Sequence, residues 1–494
     1  MLKKIRVVLA LVFWACITLL FLDFTGTLRH YVGWMAKIQF LPAVLALNIG
    51  VIIGLVALTL IFGRIYCSVI CPLGVMQDAF AWLGRRGKKK RNKYAYSKAI
   101  SWLRYSVLAL FVLAIIFGIN WFVAILAPYS AYGRIVSNLI APVTVWANNY
   151  AAGVAEGMDS YAFHVVDLLH RNIFTTSIAA VTLIALAILA WRNGRTYCNT
   201  ICPVGTVLGF LSKYSWLKPV IDTSKCVNCS ICARRCKAAC IDYKNHEIDY
   251  SRCVTCMDCL NNCTHGAISY KHPEKKAESK AEESVDATRR AFVSGLGVIA
   301  ASAATLKAQK TVDGGLAAIE DKKIPNRATR IVPPGAVSLA NVENHCTACQ
   351  LCITNCPNGV LRPSENLETL MMPESSYEIG YCRPECTRCS DLCPTGAIVK
   401  IDKAEKSAIQ IGHAVWIKEN CIPVVNGDSC GNCARHCPTG AIKMFNLDPN
   451  DPESPLVPAV NEALCIGCGA CENLCPARPF SAIYVEGHQV HRHI

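Results

Sequence analysis

Four apolar runs, at residues 5–22, 41–62, 105–127 and 173–191, dominate the hydrophobic pattern of the first 191 residues, and Arg6 is the only charge within them. Each approaches the roughly 20 residues that cover about 30 Å of hydrocarbon, so the pattern predicts four transmembrane helices. The polar positions between the runs give the set an orientation. Lys3, Lys4 and Arg6 stand at the start of the first run, and Arg64, Arg85, Arg86, Lys88, Lys89, Lys90, Arg91, Lys93 and Lys98 crowd the segment between the second and third. Of lysine and arginine, the segments 23–40 and 128–172 hold only Arg29, Lys37, Arg134 and Arg171. By the positive-inside rule, the amino terminus, the middle segment and the chain after Trp191 face the cytoplasm. No clear small-residue cleavage site follows Leu22, so the first run reads as a retained span rather than a cleaved signal. Between the third and fourth runs, Ile135, Leu139, Val143 and Trp146, then Val154, Phe163, Val166 and Leu169, predict short amphipathic helices on the outer face.

From residue 206 the long runs give way to short polar loops rich in cysteine. Four tetrads keep the spacing C-x-x-C-x-x-C-x-x-x-C: Cys226, Cys229, Cys232, Cys236; Cys253, Cys256, Cys259, Cys263; Cys346, Cys349, Cys352, Cys356; and Cys465, Cys468, Cys471, Cys475. Two are variants. Cys382, Cys386, Cys389, Cys393 opens with one extra residue, and Cys421 lies ahead of Cys430, Cys433, Cys437. Three thiolates two residues apart can wrap three corners of a 4Fe–4S cube while the fourth ligates a partner cube. Six 4Fe–4S clusters are therefore expected, with Cys226, Cys229 and Cys232 sharing a cube with Cys263, and Cys253, Cys256 and Cys259 sharing one with Cys236. In the four-tetrad region two pairings are open: sequential, or outer with outer and inner with inner. Proline after Cys356, Cys393, Cys437 and Cys475 ends the ligand loop, whereas Lys237 and Thr264 take that place after Cys236 and Cys263. Cys240 has no assigned role. Zinc prefers two separated ligand pairs, and disulfide frameworks belong to small secreted domains, so the repeated four-cysteine run fits neither.

Composition adds two points. A hydrophobic content of 53% suits membrane segments, and the net charge of +15 is concentrated beside the apolar runs, where topology and anionic lipid account for it, so no nucleic-acid partner is expected. Residues 271–290, rich in Lys, Glu, Ser and Ala, read as a solvated linker. Within residues 288–306, Thr288-Arg289-Arg290-Ala291-Phe292-Val293 precedes an uncharged, modestly apolar stretch, which is similar to a twin-arginine export signal or serves as a fifth membrane segment. Cys16 reads as packed apolar surface, His164 and His170 as surface residues, and His488, His491 and His493 as a frayed polar tail.

An internal repeat follows the second and fourth runs. Residues 63–74 and 194–205 share G-R-x-Y-C-x-x-x-C-P-x-G, placing Cys67 with Cys71 and Cys198 with Cys202 at i, i+4 spacing that would set each pair on one helix face. Together these four could form one centre, form redox-active disulfides or act near quinol; they are a candidate redox or metal motif. With four spans, two such pairs and the tetrads starting at Cys226 and Cys253, residues 1–270 resemble the NapH family of quinol-linked membrane ferredoxins, with NosR and CcoG as relatives. Residues 330–494 resemble the NapG family of periplasmic four-cluster ferredoxins. The resemblance implies an α-helical membrane bundle of four transmembrane helices followed by α+β bacterial-type 4Fe–4S ferredoxin domains. Its parts are a membrane domain at 1–205, a cytoplasmic two-cluster domain at 206–270 and a four-cluster periplasmic domain at 330–494. It further implies a multi-pass protein of the inner membrane. Such a protein draws on the lipid-dissolved quinol pool and passes electrons to a terminal reductase or cytochrome on the outer side. An assembly or maintenance factor that reduces a metal centre in a partner enzyme is the alternative. The chain lacks a P-loop, a dinucleotide fingerprint after a strand and a C-x-x-C-H haem site, so no substrate-converting site of its own is visible; quinol dehydrogenase activity is the one enzymatic role left.

Overall fold

The structure, a computed structural model, describes residues 2–23, 27–86, 94–159, 165–166, 173–272 and 322–494. The export-like signal, most of the linker and much of the basic middle segment lie outside the described residues.

Among the described residues two helices are long and apolar enough to cross a membrane, Leu2–Leu22 and Ile173–Asn193. Both leave most of their apolar surface facing outward, with Val8, Leu11, Val181 and Ile184 each more than half exposed. The second and third runs form shorter helices. In the second, Asn48 breaks the run: its Oδ1 accepts the Val51 N–H, a strong helix start, so the straight helix is Ile49–Phe62. In the third, Ser101–Ile116 ends at Gly118 with φ +70°, and a separate turn of helix, Asn120–Leu126, follows.

The two repeats fold alike. Gly63 and Gly194, at φ +70° and +71°, stop their helices in a conformation that glycine adopts without strain. A one-turn helix follows each, Ile65–Val69 or Thr196–Thr200, and then Pro72 and Pro203 open the helices Pro72–Arg86 and Pro203–Ser212. The proline corrects the expectation that each cysteine pair lies on one helix face. A residue before proline is pushed out of the helical region, so Cys202 sits extended at ψ 118° as the N-cap of the next helix, and Cys71 likewise falls between helices.

Residues 216–272 build a small α+β unit. Strand Lys218–Ile221 pairs antiparallel with Ile268–Lys271, and Ile241–Asp242 pairs with Glu247–Ile248. Residues 322–494 build a larger one, whose longest pair is Ile409–Trp416 with Ile483–His493. That strand contains His488, His491 and His493, so the tail is paired rather than frayed; His413 Nδ1 and His488 Nε2 are 2.9 Å apart.

The two units dock at opposite ends of the first helix. Lys3 pairs with Asp258 at 2.8 Å, and the Asn355 side chain donates to the Leu20 carbonyl at 3.2 Å. Those positions are about 25 Å apart along the helix at 1.5 Å per residue. In the segment expected to form amphipathic helices, Val143, Trp146 and Val154 are exposed, whereas the start of the segment is covered. Every residue of the helix Pro128–Ile135 is buried, and Gly133 packs so closely on the Cys349 carbonyl that a Cβ there would stand 2.3 Å from it.

Candidate functional site

Local backbone shapes the cysteine loops. In all four uninterrupted tetrads the residues flanking the second cysteine are left-handed: Asn228 and Ser230, Thr255 and Met257, Ala348 and Gln350, Gly467 and Gly469. Two left-handed residues around one cysteine curl the loop so that successive N–H groups face its hollow, a shape suited to an anionic centre. At Gly469 the ring of Tyr377 fills the space where a Cβ would sit, 2.2 Å away.

The loops bring the cysteines together in fours. Cys226, Cys229, Cys232 and Cys263 line one cavity, and Cys236, Cys253, Cys256 and Cys259 line another. The crossed fourth cysteine is the one the ferredoxin spacing predicts. In the larger unit the pairing is sequential. Cys382, Cys386 and Cys389 share a cavity with Cys356; Cys421, Cys430 and Cys433 share one with Cys475; and Cys465, Cys468 and Cys471 share one with Cys437. Cys346, Cys349 and Cys352 lie within electrostatic reach of Cys393. Four thiols around one hollow are the donor set of a 4Fe–4S cube. Burial pushes the thiols up, Cys349 and Cys256 to about 12 and Cys433 to about 11, so loading a metal centre must displace protons.

Cys240, unassigned in the sequence, is buried in the cavity of Cys236, with the two sulfurs 3.5 Å apart. Its thiol, by hydrogen bonding, holds Cys236 below the usual cysteine range. Spacing gave no sign of this, because Cys240 stands outside the repeat.

The sets follow one another as neighbours. Cys352 senses Cys389, the Cys382 N–H donates to the Cys468 carbonyl at 2.9 Å, and Cys471 senses Cys433. Naming each set by the first of the three cysteines that its own tetrad supplies, the order by space is thus Cys346, Cys382, Cys465 and Cys421, whereas by sequence Cys421 precedes Cys465. The Cys346 set faces the helices, and the Cys421 set is last in that order.

The four cysteines of the repeats also meet. Cys67, Cys71, Cys198 and Cys202 are all buried, and each lies within electrostatic reach of the other three. Each repeat's arginine grips the other repeat: Arg64 donates to the Cys198 carbonyl at 3.1 Å, and Arg195 to the Cys67 carbonyl at 2.6 Å. Gly74 and Gly205 leave room for this crossing, since a Cβ at Gly74 would stand 2.7 Å from Arg195 Nη1 and one at Gly205 2.9 Å from Arg64 Nη2.

Three family models match the chain: a 4Fe-4S binding domain over residues 44–91 and 173–223, and 4Fe-4S dicluster domains over 345–398 and 426–478. The methylamine utilization ferredoxin-type protein MauM of Paracoccus denitrificans is 32% identical over 170 residues, covering 32% of this chain and 73% of MauM. The chain belongs to the MauM family of ferredoxin-type proteins. Its similarity extends to the ferredoxin-type protein NapF of Escherichia coli K12, 26% identical over 159 residues, which are 32% of this chain and 87% of NapF. The putative electron transport protein YccM of the same organism is 24% identical over 198 residues, 40% of this chain and 47% of YccM. No solved structure matches. This MauM-family chain is an iron-sulfur, ferredoxin-type electron-transfer protein with 4Fe–4S domains.

Proposed function

We propose that the protein is a membrane-bound relay that takes electrons from the quinol pool and passes them through six 4Fe–4S clusters to a partner reductase or cytochrome on the outer side. The observation that carries this is the docking of the two ferredoxin-type units at opposite ends of one long apolar helix, Asp258 on Lys3 and Asn355 on Leu20. A helix whose apolar face looks outward suits lipid, and units fixed at its two ends suit transfer from one side to the other. The 28 paired and tetrad cysteines and the G-R-x-Y-C-x-x-x-C-P-x-G repeats support the finer reading, a NapH-like unit fused to a NapG-like unit. On it the shorter helices Ile49–Phe62 and Ser101–Ile116 complete a four-span bundle, and the two-cluster unit is cytoplasmic.

The clusters supply one-electron transfer. The chain's own residues hold them, exclude water and set the local charge through hydrogen bonds to sulfur. The order of the sets makes the Cys346 group the entry to the larger unit and the Cys421 group its exit. The protein in proteoliposomes, given a reduced quinol analogue, should show cluster reduction by electron paramagnetic resonance, and protease added to spheroplasts should digest a carboxyl-terminal tag. No reduction by quinol, or a tag protected until lysis, overturns the reading.

A further inference from the structure

We propose that Cys67, Cys71, Cys198 and Cys202 together hold a seventh 4Fe–4S cluster, built half from each repeat. Four observations converge on it. All four thiols are buried in one group, as noted above, and each has a hydrogen-bond donor set for a thiolate. Arg64 and Arg195 approach Cys67 and Cys198 at 3.9 Å, and the Gly205 N–H donates to Cys202 at 3.3 Å, as the Gly74 N–H does to Cys71. N–H donors to sulfur are how proteins stabilise an anionic cluster.

The charge balance also asks for an anion. Arg64 is fully buried, its Nε has no partner, and no carboxylate among the described residues pairs with it; its contacts are Asn199, two carbonyls and Cys67. Arg134 is fully buried too, with one bond to the Ala124 carbonyl at 2.7 Å and its Nε and Nη2 unpartnered. A buried charge without a partner is strongly disfavoured, and an anionic cluster beside Cys67 would answer that of Arg64, while Arg134 faces Cys349 of the larger unit. Arg134 stands between Tyr197, beside this group, and Cys349. Finally, the family model for a 4Fe-4S binding domain covers residues 44–91 and 173–223, whose only cysteines are these four.

On the relay reading, on which this part rests, the cluster joins the two units. Arg64 reaches from Cys67 to the surroundings of Cys253, and Arg134 from Tyr197 to Cys349. The site itself does not depend on that reading and is tested without it.

Full-length protein purified without oxygen should give an anomalous iron peak between the two repeats, distinct from the six ferredoxin positions. The variant Cys198→Ser with Cys202→Ser should lose about four iron and four sulfide per chain, one cube's worth, while the other clusters keep their spectra. A disulfide, a zinc ion, an iron without sulfide or no metal between the repeats overturns the proposal. Because the anomalous map uses the unaltered protein, a misfolded variant leaves the proposal decidable. An iron peak there with no quinol reduction would keep this site and sink the relay; quinol reduction with no peak would do the reverse.

Discussion

Both ferredoxin-type units share an apolar cluster with the helices, but the smaller one adds a network of ion pairs where the larger one relies mainly on packing and neutral hydrogen bonds. Asp78 is the hub of the first junction. It pairs with Arg195 at 2.6 Å, Lys237 at 2.7 Å and Arg6 at 3.2 Å, while Lys237 and Lys3 meet Asp258. Arg104 adds bonds to the Ser251 side chain and carbonyl. At the other junction Phe21, Tyr129 and Tyr132 cluster with Cys349, Leu351 and Leu392, and Asn138 donates to Gln350 at 2.7 Å. Arg29 with Asp391, at 3.3 Å, is the ion pair there. Charge thus weighs more at the first junction than at the second, and the two should respond differently to salt and pH.

The sharpest way to break the contrast is Asp78→Asn. Burial raises that carboxyl, but Arg195, Lys237 and Arg6 outweigh it and hold it well below the usual carboxylate range. Its loss leaves three cations crowded without their anion, at a cost of about 3–5 kcal/mol. The smaller unit should detach, seen as faster hydrogen exchange over residues 230–260 with the larger unit unchanged. Equal loosening of both units would refute the division. The counterpart is Leu351→Ala. Leu351 is fully buried, and truncation should cost about 2–5 kcal/mol, loosening the larger unit alone and to the same extent in low and high salt. Next in size is Asn355→Ala, which removes the bonds to the Leu20 and Leu351 carbonyls. A loss of about 1–2 kcal/mol at that junction, read by urea unfolding of the detergent-solubilised protein, is expected.

How much of this was legible in the sequence depends on the kind of signal. Cysteine spacing found the crossed fours of the smaller unit because the rule is local and chemical, but it left the larger unit's pairing open, since spacing does not say which loops meet. Hydropathy located four runs yet passed over Asn48 and Gly118, whose capping and left-handed preferences outweigh the apolar residues around them. Charge was the most misleading signal. Arg6 and Arg64 read as topology markers, but both are buried in contacts that no single-segment pattern contains. Lys237, an oddity where proline is usual, proves to be the tie between Asp78 and Asp258, and Asp258 itself gave no signal at all.

The smallest effect should come from Lys3→Ala, and it separates the junctions most finely. Lys3 is a third exposed, so its pair with Asp258 should be worth no more than about 1 kcal/mol and should fade as salt screens it. The pair has a pH signature with a definite sign. Burial raises the Asp258 carboxyl, Lys237 and Lys3 lower it by more, and the balance leaves it below its ordinary value of 3.8. A carboxylate depressed in the folded state contributes stability that is complete above its unfolded pKa, about 4, and is lost as pH falls through the folded value. Acid should therefore release the smaller unit before the larger, and Lys3→Ala should shrink that pH dependence without touching the Asn355 junction. Hydrogen exchange followed from neutral pH downward, at low and high salt, checks both. A Lys3→Ala protein whose acid response matches the parent would mean that Lys237 alone carries the charge at Asp258.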